Sequence, residues 1–301
     1  MRPIAPTLIL AAMLLPAGLA WAQEPLPVLP PQVRAAYEAR LAEARRAYEH
    51  TPNDADSIIW LGRRTAYLGH YREAIGIFTN GIGKHPKDAR MYRHRGHRFI
   101  TIRDFPRAIA DLERGLELVR GKPDEVEPDG IPNARGIPTS SLHSNLRYHL
   151  GLAHYLTGAF DKAAEVYARD VAAARAAGNP DMLVASSHWF YMALRRSGKP
   201  AEAAAVLQPI APDLPVIENG SYHRLLLLYQ GKLAPDSLLP GLNQRELSSV
   251  EDVTLGYGIG NWHLYNGRRE EALAIFRKVA ASPQWAAFGY VAAEAELKRE
   301  K

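Results

Sequence analysis

The feature that most constrains this chain is a set of residues that returns after 34 positions. The recurring pairs match in character, and they are Gly62 and Gly96, Ala74 and Ala108, Phe78 and Leu112, and Gly81 and Gly115. A period of this length is typical of arrays of helical hairpins, because small residues at fixed places let paired helices approach closely. The pattern therefore predicts an all-α solenoid in which each hairpin buries its apolar face on the next.

The residues at these positions resemble the tetratricopeptide repeat (TPR) family. In the first unit the family pattern is matched by Leu61, Gly62, the turn residue Gly69, Ala74, Phe78 and Pro86. The second unit keeps most of the pattern but has Arg103 at the place of the turn glycine, so its turn is free to differ. The resemblance implies a right-handed α-solenoid of about six TPR-like helical hairpins, with an extra N-terminal helix and a C-terminal capping helix.

The resemblance also divides the chain. The solenoid domain is predicted over 32–301, with repeats near 55–88, 89–122, 144–177, 184–212, 217–242 and 253–286, a capping helix over 283–301, and a loop insertion over 122–141. Asn53 is the expected N-cap of the first repeat, with Asp56 completing a partial capping box. The fifth repeat is degenerate, because Pro235 and Pro240 are expected to shorten its second helix.

The first 22 residues have the pattern of a signal peptide. The apolar run LILAAMLLPAGLA ends at Ala20-Trp21-Ala22, and small residues at these places suit a signal peptidase. We expect cleavage near Ala22 and an exported protein, periplasmic or secreted, with no stable membrane span afterwards; a retained membrane anchor is the alternative. Residues 23–31 contain four prolines and are predicted to form an extended linker.

Composition narrows the classes of function. The chain has no cysteine, which excludes disulfides, thiolate metal sites and a cysteine nucleophile. A net charge of +5 does not by itself indicate nucleic-acid binding, and export argues against it. No arrangement of nucleophile, base and orienting group is recognisable, so we expect no enzyme activity, no cofactor and no metal.

The resemblance implies a set of partner-binding residues, because the first helix of each TPR hairpin lines a concave groove. Carried over by register, they are Arg63, Arg90, Arg93, His97, Asn145, Tyr148, His188 and Asn261. Arginines hold carboxylates and phosphates through charge-assisted hydrogen bonds, and tyrosine supplies stacking area. The set is similar only in kind to the carboxylate clamp of chaperone-binding TPR proteins, whose Lys and Asn positions are not reproduced. The alternative is a solvated basic helix face.

The insertion begins with four acidic residues, Asp124, Glu125, Glu127 and Asp129. Loops of this length in compact folds are usually functional or disordered. One hypothesis is that the four acids fold over the basic groove as a lid that an anionic ligand must displace. A flexible surface loop is the alternative.

Three other motifs lack the context that their chemistry needs. His94 and His97 are spaced like two metal ligands, but no third ligand is identifiable. The glycines of LGYGIGNW, residues 255–262, have no preceding strand, so close helix packing explains them better than nucleotide binding. The stretch TSSLHSN, residues 139–145, lacks a nucleophile elbow and is placed to cap a helix.

The predicted function is a non-catalytic scaffold that binds a protein or peptide, including one with an acidic segment or carboxylate, as an exported adaptor or assembly factor. The alternative is a small anionic ligand or glycan bound in the basic, aromatic groove.

Overall fold

Fourteen α-helices make up the described part of the chain, which in this computed structural model comprises residues 24–242 and 244–300. In chain order they are α1 (Pro31–His50), α2 (Ala55–Tyr67), α3 (Tyr71–Lys84), α4 (Ala89–Thr101), α5 (Phe105–Val119), α6 (Leu142–Leu156), α7 (Phe160–Ala176), α8 (Pro180–Arg196), α9 (Pro200–Leu207), α10 (Gly220–Tyr229), α11 (Pro235–Leu238), α12 (Val250–Tyr265), α13 (Arg269–Ala280) and α14 (Phe288–Arg299). The predicted signal peptide lies outside the described residues. None of the helices in the described part is long and apolar enough to cross a bilayer.

The helices form the predicted solenoid. Six hairpins follow one another in the described residues, from α2–α3 to α12–α13, with α1 packed before them and α14 after them. The second helix of the fifth hairpin, α11, has only four residues, which confirms the effect expected of the prolines. The closing helix is shorter than predicted, because it begins at Phe288, and Ser282 and Pro283 lie in the turn before it.

One contact, repeated in four hairpins, explains the sequence period. A Cβ placed on Gly62 would lie 2.5 Å from the ring of Phe78, so only glycine fits where these helices meet. The equivalent distances are 2.8 Å from Gly96 to Leu112, 2.7 Å from Gly151 to Tyr167 and 2.7 Å from Gly260 to Phe276. The same close packing confirms the structural role of the glycines within residues 255–262.

The second hairpin keeps the turn of the others although it lacks the turn glycine. Arg103 has a φ of 64°, in the left-handed region occupied by Gly69 at 92° and Gly158 at 83°. A side chain is unfavourable there, by roughly 1 to 3 kcal/mol, unless surrounding contacts hold it. The presence of Arg103 in place of a glycine therefore changes the contacts of the turn and not its backbone conformation.

Two predictions about helix starts have different outcomes. The N-cap of α2 is Asp54, whose carboxylate accepts a hydrogen bond from the Ser57 amide at 2.8 Å, so the assignment to Asn53 was wrong by one residue. Ser141 caps α6 as predicted for residues 139–145, in a reciprocal capping box with Ser144.

The proline-rich segment before α1 is extended but is not a free linker. Arg34 donates to the Pro27 carbonyl at 3.2 Å, and Glu24 pairs with Arg72 at 2.6 Å. Pro27 also lies so close to the first turn that a Cβ on Gly69 would be 2.4 Å from it. Residues 24–30 therefore belong to the surface of the first hairpin.

The C-terminal segment crosses back to the second and third hairpins. The Arg103 guanidinium lies 3.7 Å over the ring of Trp285 and its Nε is 2.9 Å from a Glu294 oxygen. Arg299 donates to the Leu156 carbonyl at 2.9 Å. Because α14 packs against both α12 and α6, it covers part of the inner surface of the array.

Candidate functional site

The inner surface of the first three hairpins carries a cluster of cationic and amide side chains. We call it the Arg/His face and define it as Arg63, Arg64, Arg93, His94, His97 and Asn145. These residues come from α2, α4 and α6, the first helices of consecutive hairpins. Arg63 and His97 are 34 residues apart, so the repeat places them at the same height on neighbouring helices.

A carboxylate of the protein itself occupies the Arg/His face. One Glu127 oxygen lies 3.0 Å from Nε of Arg93 and accepts a hydrogen bond from Asn145 Nδ2 at 3.0 Å. The other oxygen is 3.6 Å from His94 Nε2. Only 9% of Glu127 is exposed, so this is a buried charged contact of the kind that needs several partners.

The backbone that carries Glu127 is also bound. Arg63 donates to the Pro128 carbonyl at 2.8 Å, and Arg64 donates to the Gly130 carbonyl at 2.6 Å. A Cβ on Gly130 would lie 1.6 Å from the Tyr67 hydroxyl, so the chain lies directly against the face at this glycine. The face thus holds an acidic side chain together with the peptide groups that follow it.

The other three acids of the insertion do not enter the face, which corrects the hypothesis of a four-acid lid. Asp124 caps α6 instead, accepting hydrogen bonds from the Ser141 hydroxyl at 2.6 Å and the His143 amide at 3.0 Å. Glu125 is exposed. Asp129 is half-buried with one oxygen lacking a hydrogen-bond partner, and burial raises the pKa of its carboxyl group.

The histidines of the face are neutral. Burial, together with Arg93, holds the pKa of His94 well below its usual value, and burial with Arg98 does the same for the pKa of His97. Arg93 Nη1 lies 3.0 Å from His94 Nδ1. Since arginine can only donate, Nδ1 accepts and the proton of His94 is on Nε2, facing Glu127.

The two histidines make ring contacts with neighbouring aromatic side chains. The ring of His94 stacks on Phe78 at 5.5 Å, and His97 lies 4.4 Å from His149. Within residues 24–242 and 244–300 there is no group of three or more side chains suited to hold a metal ion.

The structure brings together four of the eight residues predicted to bind a partner: Arg63, Arg93, His97 and Asn145. Arg90 lies at the edge of this group, where it pairs with Asp88 at 2.6 Å and with Asp56 at 2.5 Å. It lines an open cleft of about 720 Å³ between the second hairpin and the insertion.

The remaining three predicted residues are buried in the core, which corrects their assignment as groove contacts. The Tyr148 hydroxyl lies 3.1 Å from that of Tyr222, and His188, which is 1% exposed, stacks on the same Tyr222 ring at 4.7 Å. Asn261 is fully buried and donates to the Tyr155 hydroxyl at 3.1 Å. The repeat register places these residues on the inner side of the array, where side chains of α10 and α14 cover them.

Sequence reasoning did not count Arg64 and His94 of the Arg/His face among the partner-binding residues, and it did not single out Tyr67 and Arg98 beside the face. The runs RR at 63–64 and RHRGHR at 93–98 are the signal that could have found the two arginines. Nothing in the sequence singles out Tyr67, whose role follows from its contact with Gly130.

Comparisons with known proteins identify the fold. No family model matches the chain, and no curated protein does. A tetratricopeptide repeat protein from Parabacteroides merdae is similar in structure, with 14% identity and a TM-score of 0.50 over 83% of this chain and 88% of that one. The chain also aligns with YrrB, described as a TPR protein with an unusual peptide-binding site, at 16% identity and a TM-score of 0.43 over 84% of this chain and 97% of that one. With the TPR domain of P58(IPK) the identity is 12% and the TM-score 0.28, over 90% and 67%. Its successive helical hairpins and its likeness to the Parabacteroides merdae protein make this protein a helical solenoid with a TPR-like fold, as its repeat pattern predicted.

Proposed function

We propose that this protein is a non-catalytic scaffold that binds a protein or peptide, and that the Arg/His face is its binding site. The observation that carries the proposal is the seating of Glu127 and the following backbone on that face. A surface that holds one extended acidic segment of the chain has the donors to hold another from a partner. In the free protein the insertion occupies the site, so a partner must displace it.

The partner that fits best is an extended peptide segment with an acidic side chain. Arg93, His94 and Asn145 would receive its carboxylate, while Arg63 and Arg64 would receive backbone carbonyls one and three residues later. This spacing is the one that Glu127, Pro128 and Gly130 adopt in the chain itself.

Affinity capture followed by mass spectrometry tests this function. The wild-type chain should retain a specific partner that Arg93→Ala retains more weakly, and an excess of a peptide of residues 123–131 should release it. Arg107→Ala is the matched control, because Arg107 is exposed, lies outside the Arg/His face and pairs with Asp104 at the start of its own helix. Equal retention by wild type and Arg93→Ala, with no release by the peptide, would show that the face is not the binding site.

We further propose that the scaffold acts after export, as a periplasmic or secreted adaptor. The support is the pattern of the first 22 residues, an apolar run followed by Ala20-Trp21-Ala22. N-terminal sequencing of the protein from its native host should begin at Gln23, and a sequence beginning at Met1 would contradict export by cleavage.

A small anion is the second candidate ligand, and one observation favours it: arginines of the face also border a cavity that Glu127 does not fill. A glycan is disfavoured. The aromatic rings expected to stack on a sugar, Tyr148 among them, are packed in the core.

A further inference from the structure

A small cavity borders the Arg/His face. Its volume is about 120 Å³, and its lining includes Arg63, Tyr67, Arg93, His94, His97 and Arg98. We call it the Arg cavity. No acidic side chain lines it, although three guanidinium groups do.

The guanidinium groups of the Arg cavity are poorly compensated. Arg98 forms no ion pair and no side-chain hydrogen bond with any residue in the described part of the chain, and it lies 5.8 Å from the ring of Tyr71. Nε of Arg93 is buried without a hydrogen bond, although a Glu127 oxygen lies 3.0 Å away. Among the described residues, Glu127 is the carboxylate that pairs with this group of three arginines, and it does so through Arg93.

The charges of the cavity act on one another. The pKa of Arg98 is lowered to about 10, chiefly by burial; Tyr71 and Tyr67 oppose this shift, and Arg93 and Arg63 add to it to a smaller extent. Arg98 is half-buried, so its guanidinium group gives up part of its hydration without gaining a counter-ion among the described residues. The neutral histidines add no positive charge.

We propose that the Arg cavity binds a small tetrahedral oxyanion, with free inorganic phosphate as the representative ligand. Guanidinium groups present paired N–H donors that match oxyanions, and the Tyr67 hydroxyl adds a further donor. A volume of about 120 Å³ exceeds the roughly 30 Å³ share of one water, so a polyatomic anion has room. The small volume favours a free anion over a group attached to a larger molecule.

Isothermal titration calorimetry of the full chain, in a chloride buffer free of phosphate and sulfate, tests the site. We expect saturable binding of one phosphate, weakened at least about tenfold by Arg98→Gln, because hydrogen bonds to a charged group are lost. Arg90→Gln, on the same helix but outside the cavity, should bind within about twofold of wild type. Absence of saturable binding, or equal binding by Arg98→Gln, would overturn the site. Equally tight binding of phosphoserine would overturn the assignment to a free anion.

Thermal unfolding separates ligand binding from a structural role of Arg98. Without phosphate, Arg98→Gln should unfold at the same or a higher temperature than wild type, because it removes an uncompensated charge. Added phosphate should raise the unfolding temperature of wild type alone. If Arg98→Gln is less stable than wild type without phosphate and gains as much from it, Arg98 is structural and the proposal fails. Peptide binding to the Arg/His face should be unchanged in Arg98→Gln, so the two sites can be tested independently.

Discussion

The inner surface of the array is covered in two different ways. Over the first two hairpins it is cationic, and a loop segment that belongs to no helix lies on it, with Glu127 at its centre. Over α6, α8 and α12 it is aromatic, and packed helices close it. The Tyr257 hydroxyl, for example, donates to Tyr155 at 2.8 Å, and Trp189 donates to Tyr148 at 2.9 Å.

The difference separates binding from stability. A loop held by a few hydrogen bonds can be displaced at modest cost, whereas a helix packed into an aromatic core cannot leave without unfolding the surrounding hairpins. The proposed binding site therefore lies in the first half of the inner surface, and the second half closes the structure.

The largest effect is expected where the second half buries a charge. Glu296 is fully buried and pairs with Arg196 at 2.6 Å and Arg299 at 2.8 Å. Glu296→Ala leaves two cations without this partner and should lower the free energy of unfolding by about 3 to 5 kcal/mol, measured by urea denaturation. Glu300→Ala, which removes a more exposed pair with Arg269, should cost less than about 1 kcal/mol. Equal losses of unfolding free energy in the two variants would show that Glu296 does not form part of a buried core beneath α14.

Overpacking a hairpin contact should destabilise the protein to a similar extent in both halves. Ala74 and Ala272 are fully buried at equivalent places in the first and last hairpins. Changing either to leucine overpacks its helix pair and should cost about 1 to 3 kcal/mol, seen as a lower melting temperature. An unchanged melting temperature for Ala74→Leu would show that Ala74 does not lie in a tight helix interface. It would also contradict the conclusion that the same hairpin contact supports both halves.

Acidification should destabilise the protein, with a measurable share from His188. Burial lowers the pKa of His188 to about 3, so below pH 6.5 the unfolded chain binds a proton that the folded chain does not. Stability is therefore lost as pH falls, by about 2 kcal/mol from this residue between pH 7.5 and 5. Urea denaturation at both pH values should show a smaller loss in His188→Gln than in wild type. The same loss of stability in both proteins would mean that His188 is solvated in the native state. This result would contradict the conclusion that the second half of the inner surface is closed.

The smallest effect on stability, but a clear one on dynamics, is expected from Gly130→Ala. The added methyl group collides with the Tyr67 hydroxyl, so the loop segment must lift from the face although no charge changes. The free energy of unfolding should change by less than about 1 kcal/mol, while hydrogen exchange of residues 125–130 should accelerate. Gly83→Ala is the control, because a Cβ there meets no neighbouring atom within 4 Å. Unchanged exchange in Gly130→Ala would mean that the loop does not depend on this contact.

The repeat framework could be predicted from sequence because its contacts are local. Gly62 meets Phe78 within one hairpin, and the same pair of positions returns in other hairpins, so the pattern is readable without coordinates. The turn at Arg103 was harder to predict, since its left-handed backbone is held by Trp285 and Glu294. The contact with Glu294 joins residues 191 positions apart.

The candidate binding site could be predicted only in part, because some of its contacts join residues that are far apart in the sequence. Register placed Arg63, Arg93 and Asn145 on one surface, and composition marked the insertion as acidic. Which acid enters the face depends on the path of the loop after Asp124 caps α6, and spacing does not reveal that path. Tyr148 was expected in an open groove. It is buried because α10 and α14 lie against it, and their positions depend on the curvature of the whole array, which the sequence pattern does not show.

We propose that the Arg/His face recognises an acidic segment and that the insertion occupies this face in the free protein. Fluorescence polarisation with a labelled peptide of residues 123–131 tests this most directly. A variant with a Gly-Ser stretch in place of residues 126–130 leaves Asp124 to cap α6 and should bind the peptide at least about tenfold more tightly than the intact chain, whose tethered segment competes at high effective concentration. Adding Arg93→Ala to that variant should abolish binding. Equal affinity of the intact and substituted chains, or binding that Arg93→Ala leaves unchanged, would contradict the account.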